Sequence, residues 1–481
     1  MAVAAPADTA LTECSALELA RAIREGEASA REVVEAHIQV HRSAGLNAIV
    51  ADRFDEALAE ADEADRRVAA GEPDLPPLLG VPVTIKESFQ VRGMPNSAGL
   101  VSRHDRRAET TAPTAQRLID AGAIVLGVTN VSELTLWIES DNRVYGRTLN
   151  AYDPKRIAGG SSGGEGAAVG CGGSPVGLAS DIAGSIRIPA FFNGVFGHKS
   201  SPHAVPLTGM FPSTDGEAAR LLTIGPIARR AEDLMPVMRT LAGPDGVDSR
   251  TEEIDFGDPR DVDLDGLDVV VTEHASYVPI RRELRDAREQ AAGALAAAGA
   301  TVRRESLKSL RRALEIYLEV LRVEAGTKTS ELLQAEGVAP PNLRSALRRG
   351  GPHTLPTLIL LAVEKVSDRI PEGRTRRAIS AARALSREVE GVLGEGVLLH
   401  PPHPRLAPRH NTTIGQSWLL TPTAVFNLLG LPATQVPLGL SRKGLPLGVQ
   451  VAAPRNRDDL AIAVALELER AFGGWVPPWR G

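Results

Sequence analysis

The chain has 481 residues, of which 43% are hydrophobic and 24% are charged, and its mean hydropathy is -0.08. These values predict a globular protein with a large buried core and no membrane span. The formal net charge of -6 argues against a nucleic-acid partner, and the two cysteines, Cys14 and Cys171, are too few for a disulfide framework or a thiolate zinc site. The N-terminal residues lack the basic-then-apolar order of a signal peptide, so a cytoplasmic location is expected.

Helical and strand-like segments alternate along the chain. Helical periodicity marks Ala16–Arg42 and Phe54–Ala70, and later helices are expected at Ala287–Ala298 and Asp458–Phe472. Short apolar runs typical of buried strands lie at residues 81–86, 123–129, 267–273, 396–401 and 447–453. This alternation predicts an α/β fold in which helices sandwich a central sheet.

The chain carries no internal repeat and no linker-like segment, so one domain over residues 1–481 is predicted. Its expected parts are N-terminal helices at about 10–70, a core at about 75–240, an arginine-rich helical elaboration at about 303–395 and a return to the core at about 396–475.

The segment Ile157–Pro189, "IAGGSSGGEGAAVGCGGSPVGLASDIAGSIRIP", contains five serines, many glycines and no histidine. It is too apolar for a flexible linker, and it lacks the Lys-Ser/Thr pair that follows the glycines of a phosphate-binding loop. A nucleophilic serine fits better, because glycines let the chain turn tightly and bring backbone N–H groups close to a substrate oxygen.

A serine nucleophile needs a base, and a desolvated lysine can serve where no histidine is near. The chain has only seven lysines. Lys86 is the strongest candidate because it ends the apolar run "LGVPVTIKES", although a strand-end lysine in solvent would show the same pattern. His400, His403 and His410 are the nearest approach to a metal-ligand cluster, but prolines interrupt their spacing and loop histidines are expected instead.

Four phrases together resemble the amidase signature family: "GVPVTIKES", "GGSSGGEGAAVG", "SDIAGSIRIPAFFNGVFGHK" and "GLPATQVPLGLSRKGLPLGVQVAAP". The resemblance runs over nearly the whole chain and is poorest between about 300 and 395. Lys86 precedes Ser161 by 75 residues, and Ser161 precedes Ser185 by 24. Both intervals are similar to those of fatty-acid amide hydrolases, and the phrases "AFFNGVFGHK", "HPPHPRLAP" and "FGGWV" make the chain most similar to the second type of that enzyme and to related bacterial amidases.

The resemblance implies a central mixed β-sheet sandwiched by helices and a Ser–cis-Ser–Lys triad. In that triad Ser185 is the nucleophile, Ser161 is the bridging residue with a cis peptide bond and a contact to substrate, and Lys86 is the terminal base and acid. Thr135 falls where the fatty-acid enzymes line their acyl channel. The implied oxyanion hole consists of the backbone N–H groups of Ile182, Ala183, Gly184 and Ser185.

One departure from the family pattern lies in this loop. Many members have glycine where this chain has Ala183, so the backbone there either has a negative φ or carries a small strain.

The implied activity is hydrolysis of hydrophobic or aryl amides through an acyl-enzyme, with no metal or organic cofactor. Carbamate (urethane) or ester cleavage by the same triad is the alternative for the small-molecule substrate. A glutamine amidotransferase subunit is disfavoured by the fatty-acid-type phrases and the lack of a long basic tail, and a catalytically dead scaffold is disfavoured by the intact triad. The oligomeric state is left open, a homodimer being one of the allowed states.

The poorly matching region contains the apolar stretch "GGPHTLPTLILLAVEKV" at 350–366. Leu355, Leu358, Leu360, Leu361 and Val363 offer more apolar surface than one buried helix stripe requires. Two interpretations stay open, ordinary core packing and an apolar entrance above Ser185.

Overall fold

The computed structural model describes residues 3–6, 8–214, 216–272, 278–324, 327–338, 351–367 and 372–480. The strands within these ranges are β1 Ile49–Asp52, β2 Pro82–Lys86, β3 Ile124–Thr129, β4 Asp141–Asn142, β5 Gly146–Arg147, β6 Val176–Asp181, β7 Phe196–Lys199, β8 Thr223–Ala228, β9 Asp268–Thr272, β10 Thr301–Glu305, β11 Val397–His400, β12 Ala433–Leu440 and β13 Pro446–Ala452.

The α-helices within the same ranges are α1 Thr9–Glu13, α2 Ala16–Glu25, α3 Ala30–Ala44, α4 Phe54–Ala69, α5 Pro113–Asp120, α6 Gly163–Gly170, α7 Arg187–Phe192, α8 Leu234–Leu241, α9 Arg282–Ala297, α10 Ala313–Glu324, α11 Thr329–Ala335, α12 Leu355–Ser367, α13 Glu372–Leu393, α14 Thr421–Leu429 and α15 Asp458–Phe472.

Eleven of the described strands form one mixed sheet in the order β1-β3-β2-β6-β8-β7-β12-β13-β11-β9-β10. Strand β2 is parallel to both β3 and β6, and β9 is parallel to both β10 and β11, whereas the strands between these two groups pair antiparallel. The chain therefore has the predicted single-domain α/β fold, with a large mixed sheet between helices.

Strand β2 shows how the sheet separates the hydrophobic core from polar chemistry. Successive side chains of a strand point to opposite faces. Val83 and Ile85 pack into the main hydrophobic core, where they meet residues of α2 to α5. Thr84 and Lys86 point to the other face, where they bond to Glu165 and Ser161 beside α6.

Most predicted elements are confirmed, and three boundaries are wrong. The helix predicted over Ala16–Arg42 is two helices, because Gly26 ends α2 with a left-handed φ of 71° and Ser29 caps α3 in a capping box with Glu32. Helix α9 begins five residues before its predicted start at Ala287.

The third error lies at the start of the predicted helical elaboration. A mostly helical region is expected from about residue 303, but residues 301–305 form the edge strand β10, which pairs with β9 alone. The charged sequence "TVRRE" hides this strand, because an edge strand that is only partly buried does not need an apolar pattern.

Among the described residues, no helix combines the length and the apolar character needed to cross a bilayer.

Candidate active site

The candidate site forms where parallel strands end side by side. Lys86 is the last residue of β2, Thr129 the last of β3, and Asp181 the last of β6. Because the carboxyl ends of parallel strands meet at one edge of a sheet, residues far apart in the chain become neighbours there. Lys86 and Ser161, both predicted site residues, come into contact at this edge.

Lys86 is fully buried, and two serine hydroxyls surround its amine. Hydrogen bonds of 2.7 Å and 2.9 Å join Lys86 Nζ to Ser161 Oγ and Ser180 Oγ. Burial lowers the pKa of Lys86 to about 7, although the negative charges of Asp181 and Glu165 work in the opposite direction. The amine can thus lose its proton near neutral pH.

Glu165 lies in the first turn of α6 and is also fully buried. Its carboxyl oxygens accept hydrogen bonds from Thr84 Oγ1 at 2.5 Å and Thr129 Oγ1 at 2.6 Å. Burial raises the pKa of Glu165 to about 7, while the two threonine bonds and the charge of Lys86 lower it. Lys86 and Glu165 are therefore two buried ionisable groups whose charges depend on each other.

The peptide bond between Gly160 and Ser161 is cis. Ser140 Oγ donates to the carbonyl of Ser161 at 3.1 Å and accepts from the N–H of Gly163 at 2.9 Å. The N–H of Ser162 donates to the carbonyl of Ser185 at 3.3 Å, which ties the two serine segments together. Ser185 itself retains 9% of its accessible surface.

Asp181 organises the loop that leads to Ser185. Its carboxylate accepts hydrogen bonds from the N–H groups of Gly184 at 2.7 Å and Ile186 at 3.0 Å, and it pairs with Arg187 inside the protein. Burial alone would raise the pKa of Asp181, but the charge and hydrogen bonds of Arg187, with the N–H of Ile186, outweigh it and hold the pKa well below its usual range. The carboxylate is therefore ionised and fixes the loop from within.

This arrangement changes the expected set of oxyanion donors. The family resemblance implies four N–H groups, but that of Gly184 is donated to Asp181. Within the described parts of the chain, no acceptor meets the N–H groups of Ile182, Ala183 and Ser185. Three of the four donors are thus left for a ligand.

The loop backbone also explains which positions need glycine. Among the described residues, Ala183 is not one of the non-glycine residues with a positive φ. The sequence left open a negative φ or a small strain at this position, and the backbone takes the unstrained option. Gly184 has a φ of +122°, and a Cβ atom there would lie 2.4 Å from Thr423 Oγ1. Glycine is required at 184 and not at 183.

Thr135, the predicted channel residue, is 9% exposed and has a φ of 57° in the short turn Glu133–Thr135. The preceding residue, Leu134, belongs to the same small apolar cluster as Leu361 of α12. Glu133 accepts hydrogen bonds from His353 Nδ1 and from the N–H of Thr354, both at 2.6 Å. The turn that carries Thr135 therefore holds the beginning of α12.

Helix α12 contains residues 355–366 of the apolar stretch at 350–366, residues 351–354 precede the helix, and Gly350 lies outside the described residues. Leu355, Ile359 and Val363 are 51%, 41% and 58% exposed, whereas Leu361 is buried at 4%. Leu358 and Leu360 are partly buried. Core packing thus accounts for Leu361 but not for the three exposed side chains.

A cavity of about 380 Å³ opens between the start of α12 and the segment that leads to the cis peptide. Trp137, Leu355, Pro356 and Ile414 give it apolar walls, and the rest of its lining is Glu139, Asp141, Arg143, Arg147, Thr354 and Asn411. A Cβ atom added to Gly160 would lie 2.5 Å from the carbonyl oxygen of Trp137. The cavity wall formed by Trp137 is therefore next to the cis bond between Gly160 and Ser161.

The three histidines considered as metal ligands each bond to a backbone carbonyl through one ring nitrogen. His400 and His403 are fully buried, and one ring nitrogen of each bonds to a backbone carbonyl, at 2.8 Å and 2.7 Å. His410 Nε2 bonds to the carbonyl of Pro154 at 2.9 Å. In the described residues no group of three or more His, Cys, Asp or Glu side chains is placed to hold a metal ion.

Sequence reasoning missed the residues that support the site. Asp181 and Arg187 lie inside the quoted phrase "SDIAGSIRIP", so a buried carboxylate paired with arginine could have been suspected there. Ser140 and Thr423 come from other segments, and no spacing pattern links them to the triad motifs.

With this fold and site described, the family can be stated: residues 32–462 match the family model described as Amidase, and the chain belongs to that family. It is therefore a hydrolase acting on amide C–N bonds. Fatty-acid amide hydrolase 2-B of Danio rerio is 40% identical, with 98% of this chain and 92% of that protein aligned.

Two further relatives show how widely this fold is used. One subunit of the glutamyl-tRNA(Gln) amidotransferase of Deinococcus deserti is 32% identical, over 95% of this chain and 96% of that protein. The crystal structure of a bacterial aryl acylamidase of the amidase signature family superposes with a TM-score of 0.81 at 26% identity, covering 95% of this chain and 96% of that one.

Proposed function

We propose that the protein hydrolyses hydrophobic or aryl amides through an acyl-enzyme on Ser185, with Ser161 and Lys86 completing a Ser–cis-Ser–Lys triad. The observation that carries the proposal is the 2.7 Å hydrogen bond between a fully buried lysine and Ser161 Oγ, beside the cis bond at Ser161. A lysine with a pKa of about 7 supplies the base that the segment itself lacks.

In the first half-reaction, Ser185 Oγ attacks the substrate carbonyl as its proton passes to Ser161 and the proton of Ser161 passes to neutral Lys86. A new C–O bond forms, and the carbonyl electron pair moves onto oxygen. The N–H groups of Ile182, Ala183 and Ser185 stabilise that negative charge. When the C–N bond breaks, the proton returns along the same relay to the leaving nitrogen.

Water completes the reaction by the same steps. It attacks the acyl carbonyl, gives a proton to the relay and releases the acid, and Ser185 regains its proton. General acid–base assistance of this kind contributes about 10²–10⁴ in rate.

The hydrophobic character of the substrate is supported by the surroundings of the site. The turn carrying Thr135 packs on apolar α12, and Trp137, Leu355, Pro356 and Ile414 line the adjacent cavity. The proteins that this chain resembles include a fatty-acid amide hydrolase and an aryl acylamidase. A glutamine amidotransferase role has the weaker support, because a small polar substrate such as glutamine gains little from the apolar walls of this cavity.

Ser185→Ala tests the nucleophile. The variant should fold with the wild-type melting temperature, lose turnover of an anilide and lose labelling by a fluorophosphonate, because no other group can form the acyl-enzyme. Ser162→Ala is the matched control, since it removes the neighbouring serine and should keep the label. A covalent adduct found by mass spectrometry on Ser161 or Ser162 of the wild-type protein would refute the assignment.

A further inference from the structure

The oxyanion loop is held from outside by two hydroxyl groups. Tyr317 Oη, on α10, donates to the carbonyl of Ile182 at 2.9 Å, and Thr423 Oγ1, on α14, donates to the carbonyl of Ala183 at 2.7 Å. Tyr317 is buried at 2% exposure and Thr423 is fully buried. These two contacts fall on successive peptide units of the loop.

In a trans peptide unit the C=O and N–H groups are coplanar and point in opposite directions. The carbonyl of Ile182 shares its unit with the N–H of Ala183, and the carbonyl of Ala183 shares its unit with the N–H of Gly184. A hydroxyl that holds one end of a unit therefore fixes the direction of the other end.

The two units are held differently. The Ala183–Gly184 unit is bonded at both ends, to Thr423 Oγ1 and to Asp181 Oδ1. The Ile182–Ala183 unit is bonded at its carbonyl end by Tyr317, while its N–H remains available. Hydrogen bonding at the carbonyl also polarises the amide and makes that N–H a stronger donor.

We propose that Tyr317, with Thr423 as its partner on the next peptide unit, is a positioning residue that aims the N–H of Ala183 at the developing oxyanion. This inference rests on the function proposed above. It assigns a catalytic task to α10, a helix of the elaboration in which resemblance to the family is poorest.

The chemistry of the hydroxyl suits that task. Burial raises the pKa of Tyr317, and the negative charge of Asp181 raises it further against the effect of Arg187. The phenol therefore keeps its proton and stays a donor throughout the range in which Lys86 titrates.

Tyr317→Phe removes the hydroxyl and keeps the ring. We expect kcat to fall about tenfold, less than the 10²–10³ that follows loss of a direct oxyanion donor, because the N–H of Ala183 remains but is less well aimed. KM should stay within about twofold. Inhibition by a trifluoromethyl ketone, which forms an oxyanion on Ser185, should weaken by the same factor as kcat.

The loss should also be equal for an anilide and for a nitrophenyl ester, since both pass through an oxyanion. Tyr152→Phe is the matched control, because Tyr152 Oη likewise donates from a buried tyrosine to a backbone carbonyl, that of Val476 at 2.5 Å, away from the loop. Tyr152→Phe should retain the wild-type kcat even if it lowers the melting temperature as much as Tyr317→Phe does.

Should Tyr317→Phe fail to fold, Thr423→Val and Thr423→Ser test the same idea. Valine removes the hydroxyl and should lower kcat and ketone affinity together, whereas serine retains it and should restore both.

Three outcomes overturn the proposal: wild-type kcat and ketone affinity in Tyr317→Phe, a loss confined to KM, or an equal loss in Tyr152→Phe. The proposed function fails separately, if fluorophosphonate does not label Ser185 in the wild-type protein. If fluorophosphonate labels Ser185 in the wild type and one of these three outcomes is observed, only the positioning role is refuted.

Discussion

Lys86 illustrates how burial and a neighbouring hydroxyl together prepare a residue for chemistry. A lysine ammonium is strongly hydrated in water, and the fully buried position at the end of β2 replaces that water with two hydroxyl groups. Lys199 is also fully buried, but its amine donates to two backbone carbonyls, of Ser200 at 2.9 Å and Leu431 at 3.0 Å. Burial lowers the pKa of both lysines to about 7, yet only Lys86 contacts a serine that can pass on a proton.

The pH profile of turnover follows from this difference. Neutral Lys86 is the active form, and a folded-state pKa of about 7 means that the neutral fraction grows as pH rises, so activity should increase from pH 6 to 8 with a midpoint near 7. Lys86→Ala should abolish that rise and damage anilide hydrolysis more than nitrophenyl ester hydrolysis, because the ester's leaving group needs no proton. Initial rates at each pH measure both effects.

Lys199→Met is the control for that experiment. It removes the other buried lysine of similar pKa and should leave the midpoint unchanged. If the midpoint shifts in Lys199→Met, Lys86 is not the group that sets the pH profile. If Lys86→Ala loses amide and ester hydrolysis equally, Lys86 takes no part in the leaving-group step.

At the scale of elements, local patterns predicted the site better than its supports. The contact between Lys86 and Ser161 was predictable because the lysine ends an apolar strand and the serines lie in a glycine-rich turn that the family resemblance recognises. Tyr317 lies 135 residues beyond Ile182 in the chain. The residue pattern of its helix indicates how the helix packs and gives no sign of the contact with Ile182. Edge strand β10 was missed for a related reason, since its pairing depends on β9 and its own residues are mostly charged.

Glu133 links two elements in a way that can be tested. Its carboxylate, 2% exposed, accepts from Thr354 N, His353 Nδ1 and Thr357 Oγ1 and so caps α12 from another part of the chain. Loss of an N-cap acceptor costs about 0.5–2 kcal/mol of helix stability. Glu133→Gln should therefore speed hydrogen exchange of the α12 amides roughly 2- to 30-fold while leaving the β2 and β6 amides unchanged.

The control for this cap is Glu32→Gln, which weakens the capping box at the start of α3, a helix that packs in the main core and not in the cluster of Leu361. It should accelerate exchange in α3 alone. Unchanged exchange of α12 in Glu133→Gln would mean that Leu361 and its apolar neighbours hold the helix without the carboxylate.

On the scale of the whole molecule, the apolar surface of α12 and the charged residues of the adjacent cavity suggest different substrates. Leu355, Ile359 and Val363 lie exposed on the helix, whereas Glu139, Asp141, Arg143 and Arg147 line part of the cavity. Arg147 is already paired with Asp141 at 2.7 Å, and Glu139 accepts from Asn411 N and Thr413 Oγ1. Arg147 and Asp141 neutralise each other and Glu139 is held by an N–H and a hydroxyl, so these three residues offer little to a charged substrate, and the apolar side chains favour a hydrophobic one.

A panel of acyl anilides checks this preference. Burial of one methylene contributes about 0.8 kcal/mol, so kcat/KM should rise up to about fourfold for each added carbon from acetyl to hexanoyl. Carbamates and aryl esters with the same acyl-side size show whether the bond cleaved is an amide, a urethane or an ester. Leu355→Ser and Val363→Ser should flatten the rise with chain length if α12 lines the entrance, while Val247→Ser, at another exposed apolar residue, should not. A steep fall beyond acetyl, together with rapid turnover of glutamine, would rule out the hydrophobic entrance and favour the amidotransferase-like activity instead.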